Sequence, residues 1–329
     1  MQIFKNPDFD FVRYRWQAMA LSLAVILAGA IAVAVRGMPI GIEFSGGTLV
    51  IVQFDQAPSD QQVRSALGRA IPGGGENSVV QRYGPPEQRQ VMIRVREVGA
   101  ESGSALSQTA DTVVRALKEA NLGNFTVVGT EIVGPIVGSE LTRKGILATT
   151  FALAGILAYI AVRFQFSFAV GAVVATIHDV LITLSFLAFF RYDLSLNVIA
   201  AILTMTGYSV NDTIVIFDRV RERSRDMRRD TLDHVVNVAV NQTLGRTVLT
   251  AGTALMSILA LFLFGGEVLH GFAFTLLVGV ITGTYSTVYI AVAIVSFWPR
   301  RGPTRAPAAP PAPQPSGRSR SKARNSRAS

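Results

Sequence analysis

Four ionisable side chains stand inside, or at the margin of, long apolar stretches: His178, Asp179, Asp212 and Arg246. A charge in a lipid-spanning segment costs at least about 2.5 kcal/mol, so such residues mark proton relays, ion paths or paired counter-charges. At 3.6 residues per turn, Thr176, Asp179 and Thr183 share one helix face, and Thr204, Tyr208, Asn211 and Asp212 share another. Arg246, Thr250, Thr253 and Ser257 form a third stripe, and Thr284, Tyr285, Ser286 and Thr287 a fourth polar cluster. Hydroxyls alone serve as contacts between membrane helices. The charged members predict more, namely that these helices enclose a polar interior. Asp212 lies six residues before Asp218, about 9 Å from that end of its span, and Arg246 opens the next span from the same side. By spacing alone Asp212 is either a proton carrier balanced by Arg246 or half of a static buried ion pair. No Gly-x-Gly-Asp motif surrounds Asp179 or Asp212, so an intramembrane aspartyl protease is disfavoured and no enzymatic activity is expected. The chain has no cysteine, and its histidines, His178, His234 and His270, lie far apart without an HExxH motif; neither a metal site nor a cofactor is expected.

The elements that position these residues are membrane spans. Half of the 329 residues are hydrophobic and 16% are charged, against about 25% charged in soluble domains. Six apolar runs are long enough for the roughly 20 helical residues that a bilayer core demands: Trp16–Val35, Gly145–Val162, Phe168–Phe190, Leu196–Phe217, Val248–Phe264 and Phe272–Trp298. Basic residues gather in the N-terminus (Lys5, Arg13, Arg15), after the fourth span (Arg219 to Arg229) and in the tail from Arg300 to Arg327. By the positive-inside rule both termini are therefore cytoplasmic. The net charge of +9 reflects this topology rather than a nucleic-acid site. Ala32-Val33-Ala34 resembles a signal cleavage site, but the apolar run before it is longer than a signal core.

Between the first two spans, residues 37–144 read as a small folded extracytoplasmic domain. Thr48–Phe54, Val79–Tyr83, Gln90–Arg96 and Phe125–Val133 have strand composition. Ser59 is placed to cap a helix reaching about Ala70 with Val63, Leu67 and Ala70 on one face, and Thr112–Leu122 repeats apolar residues at helical spacing. The order β-α-β-β-α-β is that of a ferredoxin-like unit. The fold class expected is thus an α-helical integral membrane protein with six transmembrane helices and a small α+β ferredoxin-like domain. Its parts are 1–36 (N-terminus and first helix), 37–144 (domain), 145–300 (helices two to six) and 301–329 (a Pro-, Ser- and Arg-rich tail of disordered composition). The glycine loop within Ile71–Asn77 is not followed by GK[ST], which argues against phosphate binding.

Gly41–Gly47, Val133–Pro135 with Val137–Leu141, Gly207–Arg219 and Asn241–Thr247 together resemble segments of the SecD/SecF family of protein-export proteins, within the resistance–nodulation–division superfamily. Gly41-Ile42-Glu43-Phe44-Ser45-Gly46-Gly47 is similar to that family's Asp/Glu-Phe-x-Gly-Gly motif. Val133-Gly134-Pro135 with Val137–Leu141 resembles its approach to the second span, Gly207–Arg219 its fourth span, and Asn241–Thr247 the opening of its fifth. The resemblance covers the chain up to about Arg301 and implies a bacterial inner-membrane subunit that works with a SecD-like partner and the SecYEG translocon. Such a subunit uses the proton motive force to assist a translocating polypeptide, with the lipid bilayer as its surroundings and no specific nucleic-acid partner. It also implies that Asp212 and Arg246 belong to the proton path, with Asn211, Asp179 and His178 beside it. Glu43, Phe44, Gly46, Gly47, Gly134 and Pro135 would form the hinge motifs. A small-molecule or lipid exporter of the same superfamily is the alternative, although such exporters carry both six-helix halves in one chain.

Overall fold

A bilayer leaves no water to satisfy backbone amides, so each span must be a helix, and six helices of the chain are long and apolar enough to cross. The computed structural model describes residues 7–297 except 57, 72–73, 75–77, 85, 96–102 and 164–165. Lys5, Pro85, Arg96, most of the 71–77 loop and the basic tail lie outside the described residues. A single 3₁₀ turn leads into α1 (Arg15–Arg36), followed by the short α2 (Ile42–Ser45). Next come β1 (Gly47–Phe54), α3 (Asp60–Ala70), β2 (Ser78–Tyr83), β3 (Gln90–Val95), α4 (Gly103–Glu119) and β4 (Phe125–Val133). The remaining spans are α5 (Pro135–Arg163), α6 (Phe166–Phe190), α7 (Leu196–Asp226), α8 (Leu232–Phe264) and α9 (Gly266–Ser286). The last of these continues through a π-helical turn, Thr287–Ala291, into α10 (Val292–Ser296).

The sheet order is β2-β3-β1-β4, with every neighbouring pair antiparallel. Together with the two intervening helices this is the ferredoxin-like arrangement predicted from the element order. Val50, Val52 and Phe54 of β1 and Val91, Ile93 and Val95 of β3 point to one face. There they meet Val63 and Leu67 of α3 and Val113 and Leu117 of α4. Ser59 caps α3 in a full capping box with Gln62. Ala66 rather than Ala70 completes the buried stripe; Ala70 is the last residue of α3 and is exposed.

The helices overrun the apolar stretches. α5 begins at Pro135 rather than 145, α7 runs to Asp226 rather than 217, and α8 begins at Leu232 rather than 248. At 1.5 Å per residue the 31 residues of α7 measure about 46 Å, well beyond a hydrocarbon core of about 30 Å. Hydropathy senses lipid contact, whereas a helix continues until a cap or a turn stops it. Thr231 supplies the cap for α8, accepting from the His234 amide at 3.3 Å. The protruding ends of α7 and α8 are joined by Gln242, whose Oε1 accepts from Arg219 and Arg223, both at 2.8 Å. Arg246 therefore stands within α8 rather than at its start.

Candidate functional site

Two apolar clusters occupy the ends of the helical unit. One joins Phe168 and Ala172 of α6, Ile216 and Val220 of α7, and Val236 and Val240 of α8; the other, nearer the α+β domain, joins Leu187, Val198, Ile202 and Met205. Between them lies a polar layer made of the buried residues Asp179, Thr183, Thr206, Ser209, Asp212, Thr213, Thr247, Ser286 and Thr287. Glycines make this layer possible. A Cβ at Gly279 would lie 2.6 Å from Met205, and one at Gly283 would lie 2.9 Å from Ser209 Cβ. This Gly-x-x-x-Gly edge of α9 lets α7 approach closely enough for short side chains to meet, as in other membrane-helix contacts.

Asp179 is fully buried at the centre. Its Oδ2 accepts from Ser209 of α7 at 2.5 Å and Ser286 of α9 at 2.9 Å, and its Oδ1 faces His178 Nδ1 at 2.9 Å. A carboxylate has only acceptors, so His178 contributes Nδ1–H and keeps Nε2, which is buried without a partner. Beyond the ring lies Tyr285, whose hydroxyl donates to Ala18 of α1 at 2.7 Å. Thr287, in the π-helical turn, donates to Gly283 at 2.7 Å, so the 3.1 Å contact with Thr213 is donated by Thr213. A π turn at a polar site is a recurrent feature of functional helices.

Asp212 differs from Asp179 in one respect. Its Oδ1 accepts from Thr247 of α8 at 3.0 Å, but its Oδ2 is buried and has no partner. Among the described residues no ion pair joins Asp212 to Arg246, which is exposed on the outer face of α8. The static-pair reading of these two residues is thus not what the geometry shows. The predicted polar interior also needs correction. The α6 stripe is interior, as are Ser286 and Thr287, but Thr204 and Asn211 of α7 and Arg246, Thr250, Thr253 and Ser257 of α8 are exposed to the outside of the six-helix unit. Their hydroxyls turn back on their own helices, Thr250 to Arg246 O and Ser257 to Thr253 O. Spacing identified the stripes but not the direction each one faces.

At the domain end, the Gly-Gly motif is a docking joint. Gly46 and Gly47 take φ of +65° and +111°, a region that L side chains avoid. Gly47 begins β1 and pairs with Val133 of β4, one residue before Gly134 and the start of α5 at Pro135. Phe44 lies over Gly145 and Gly138 approaches the Gly46 amide, so α2 rests on α5. Glu43 reaches over Gly41 toward Ser195, which caps α7. Sequence reading missed Arg94 and Asp193, because a single arginine in a strand and a single aspartate in a loop carry no pattern. They form a buried ion pair between β3 and the α6–α7 loop. Burial holds the Asp193 carboxyl above its ordinary range, against the opposing pull of Arg94 and Arg191. Asn237 was also missed, and Asn241 was read only as the first residue of the fifth-span motif. They bind the backbone of Phe11 and Phe9 at 2.8 to 2.9 Å and fix the N-terminal segment on α8.

A charged polar layer inside six spans, with a ferredoxin-like domain inserted after the first, defines a multi-pass membrane protein with an appended folded domain. Residues 112–301 match the family model "Protein export membrane protein SecD/SecF, C-terminal", and residues 31–58 match the "SecD/SecF GG Motif". The chain belongs to the SecD/SecF family of protein-export membrane proteins. It is 40% identical to the protein translocase subunit SecF of Desulfurispirillum indicum over 88% of this chain and 92% of that one. It is 38% identical to SecF of Escherichia coli O157:H7, over 87% and 86%. Crystalline SecDF from Thermus thermophilus, described as a translocon-associated membrane protein, superposes with a TM-score of 0.77 at 33% identity. That match covers 89% of this chain but only 39% of the SecDF chain. A SecDF structure in a super-membrane-facing form superposes at 0.63.

Proposed function

We propose that this chain is a SecF-type subunit that pairs with a SecD-like subunit and couples the proton motive force to polypeptide movement through the SecYEG translocon. The observation that carries the proton reading is the open, buried Oδ2 of Asp212, placed next to the polar outer face that holds Arg246. Asp179 has donors on both oxygens and serves as the fixed polar anchor of the layer, with His178. Protonation of Asp212 weakens its bond from Thr247, shifts α7 against α8, and moves the α+β domain about Gly46-Gly47 and Gly134-Pro135. One charge crossing 100 mV supplies about 2.3 kcal/mol, enough to bias such a movement.

The exposed stripe of Thr204, Asn211, Arg246, Thr250, Thr253 and Ser257 supports the partner assignment. Arginine facing lipid is costly, and a second six-helix half laid on this face would cover it and bring a counter-charge. The basic ends of the chain support a bacterial inner-membrane location with both termini cytoplasmic and the domain outside. The reading assigns no enzymatic activity and no cofactor. The deciding experiment measures proton-gradient-dependent export into vesicles with the wild-type chain and with Asp212→Asn. Loss of the gradient-dependent part is expected. Undiminished export by the variant refutes the proposal, and drug-dependent growth of a null strain would favour a small-molecule exporter instead.

A further inference from the structure

We propose that Arg94 and Asp193 are a releasable positioning pair through which movement of α7 is passed to the α+β domain. The inference rests on the proton-coupled reading above and supplies its transmission step. Three segments that are distant in sequence meet at this point. Arg94 extends from β3 of the domain, donating through one guanidinium nitrogen to the Asp193 carboxylate and through the other to Ile40 O at 2.6 Å. Ile40 belongs to the link after α1. Its neighbours hold the loop before α7 by backbone bonds, Leu194 N to Pro39 O at 2.8 Å and Gly41 N to Leu194 O at 2.9 Å. Asp193 lies two residues before Ser195, the N-cap of α7.

α7 is one unbroken helix from Leu196 to Asp226. Asp212 stands 17 positions after Ser195, about 25 Å along the axis. A tilt or slide begun at Asp212 therefore reaches Asp193 without passing through a flexible joint. The joints lie on the domain side, where Gly37, Gly46 and Gly47 have positive φ. The pair has the features of a contact that must open. Both partners are largely buried, yet Arg94 Nε and Asp193 Oδ1 have no hydrogen-bond partner. An incompletely satisfied buried pair gains little over its separated state, because desolvation offsets most of the attraction. Fixed contacts close by, such as the 39–41 seam with the α7 loop, are made by backbone and stay intact when the pair parts.

The test compares four variants of the full chain in export-competent vesicles, reading gradient-dependent export beside thermal stability. Arg94→Asp and Asp193→Arg are each expected to reduce the gradient-dependent part about tenfold, the scale of a typical coupling between sites. The double exchange, which restores the pair with its charges reversed, is expected to recover it. Arg94→Met with Asp193→Leu keeps packing without charge; it is expected to melt like the wild type and still lose gradient-dependent export. Full export by the Met/Leu protein overturns the proposal and leaves the pair a packing contact. So does a stable double exchange that recovers nothing. Asp212→Asn is run in parallel. If it exports normally, the proton reading fails and the pair's role falls with it; if it is inactive while Met/Leu is active, only the transmission step fails.

Discussion

Gly283→Ala probes the contact on which the polar layer depends. The new Cβ would stand 2.9 Å from Ser209 Cβ, 3.1 Å from its Oγ and 3.4 Å from its Cα. Carbon atoms rest at about 3.5–4.0 Å, so α7 and α9 must part by about 0.5–1 Å at this level. Overpacking of this kind costs about 1–3 kcal/mol. The separation also stretches the Ser209 and Ser286 bonds to Asp179, now 2.5 and 2.9 Å. Leaving a buried acceptor short of donors costs about another 1–3 kcal/mol. Alanine returns about 1 kcal/mol through its better helix propensity. The net expectation is a loss of about 3 kcal/mol. Gly207→Ala is the matched control: it lies on the same class of helix, but nothing stands within 4 Å of its Cβ, so the propensity gain of up to about 1 kcal/mol is all that remains. Unfolding both purified variants by denaturing-detergent titration measures the difference. Equal stability for the two would refute the close-contact account of the layer.

Other expectations follow from the same geometry. Gly207→Trp should leave the isolated chain as stable as the wild type but abolish co-purification with a SecD-like partner, since its side chain enters only the outward face; retained co-purification would remove that face from the interface. Because burial raises Asp193, acidification protonates it before an ordinary aspartate and removes the counter-charge of Arg94. Arg94 from β3 and Arg191 from the same loop are the charges that face it, with Glu43 across Gly41 and the Tyr192–His270 pair adjoining. For an acid whose folded-state pKa is raised, the folded state gains stability as pH falls, so the melting temperature should not drop in that window, while loss of the counter-charge of Arg94 frees the domain and makes it more accessible to proteases. Asp193→Asn should abolish the pH dependence. Ser59→Ala breaks the α3 capping box and should cost about 1 kcal/mol, read as faster hydrogen exchange at the Gln62 amide.

The ferredoxin-like domain was legible because its signals are local. Phe125–Val133 is a strand in the sequence and in the structure with the same limits, and Ser59 announces α3. The spans were legible for the same reason, since a bilayer imposes a length of apolar helix whatever the packing. Their ends were not, because capping by Thr231 and the bridging of α7 to α8 through Gln242 extend the helices where hydropathy is already low.

The sequence by itself determined the plan of six spans and an inserted domain, the SecD/SecF motifs, and the presence of Asp179, Asp212 and Arg246 in or beside lipid. Only the tertiary structure decided what each charge meets. Helical periodicity assigns residues to a face but not the face to a neighbour, so the stripe that holds Arg246 read as interior and lies outside. Two of the three Asp179 donors come from other helices, 30 and 107 residues away. Arg94 meets Asp193 across 99 residues. Such contacts depend on how close two helices can approach, and here Gly279 and Gly283 set that distance.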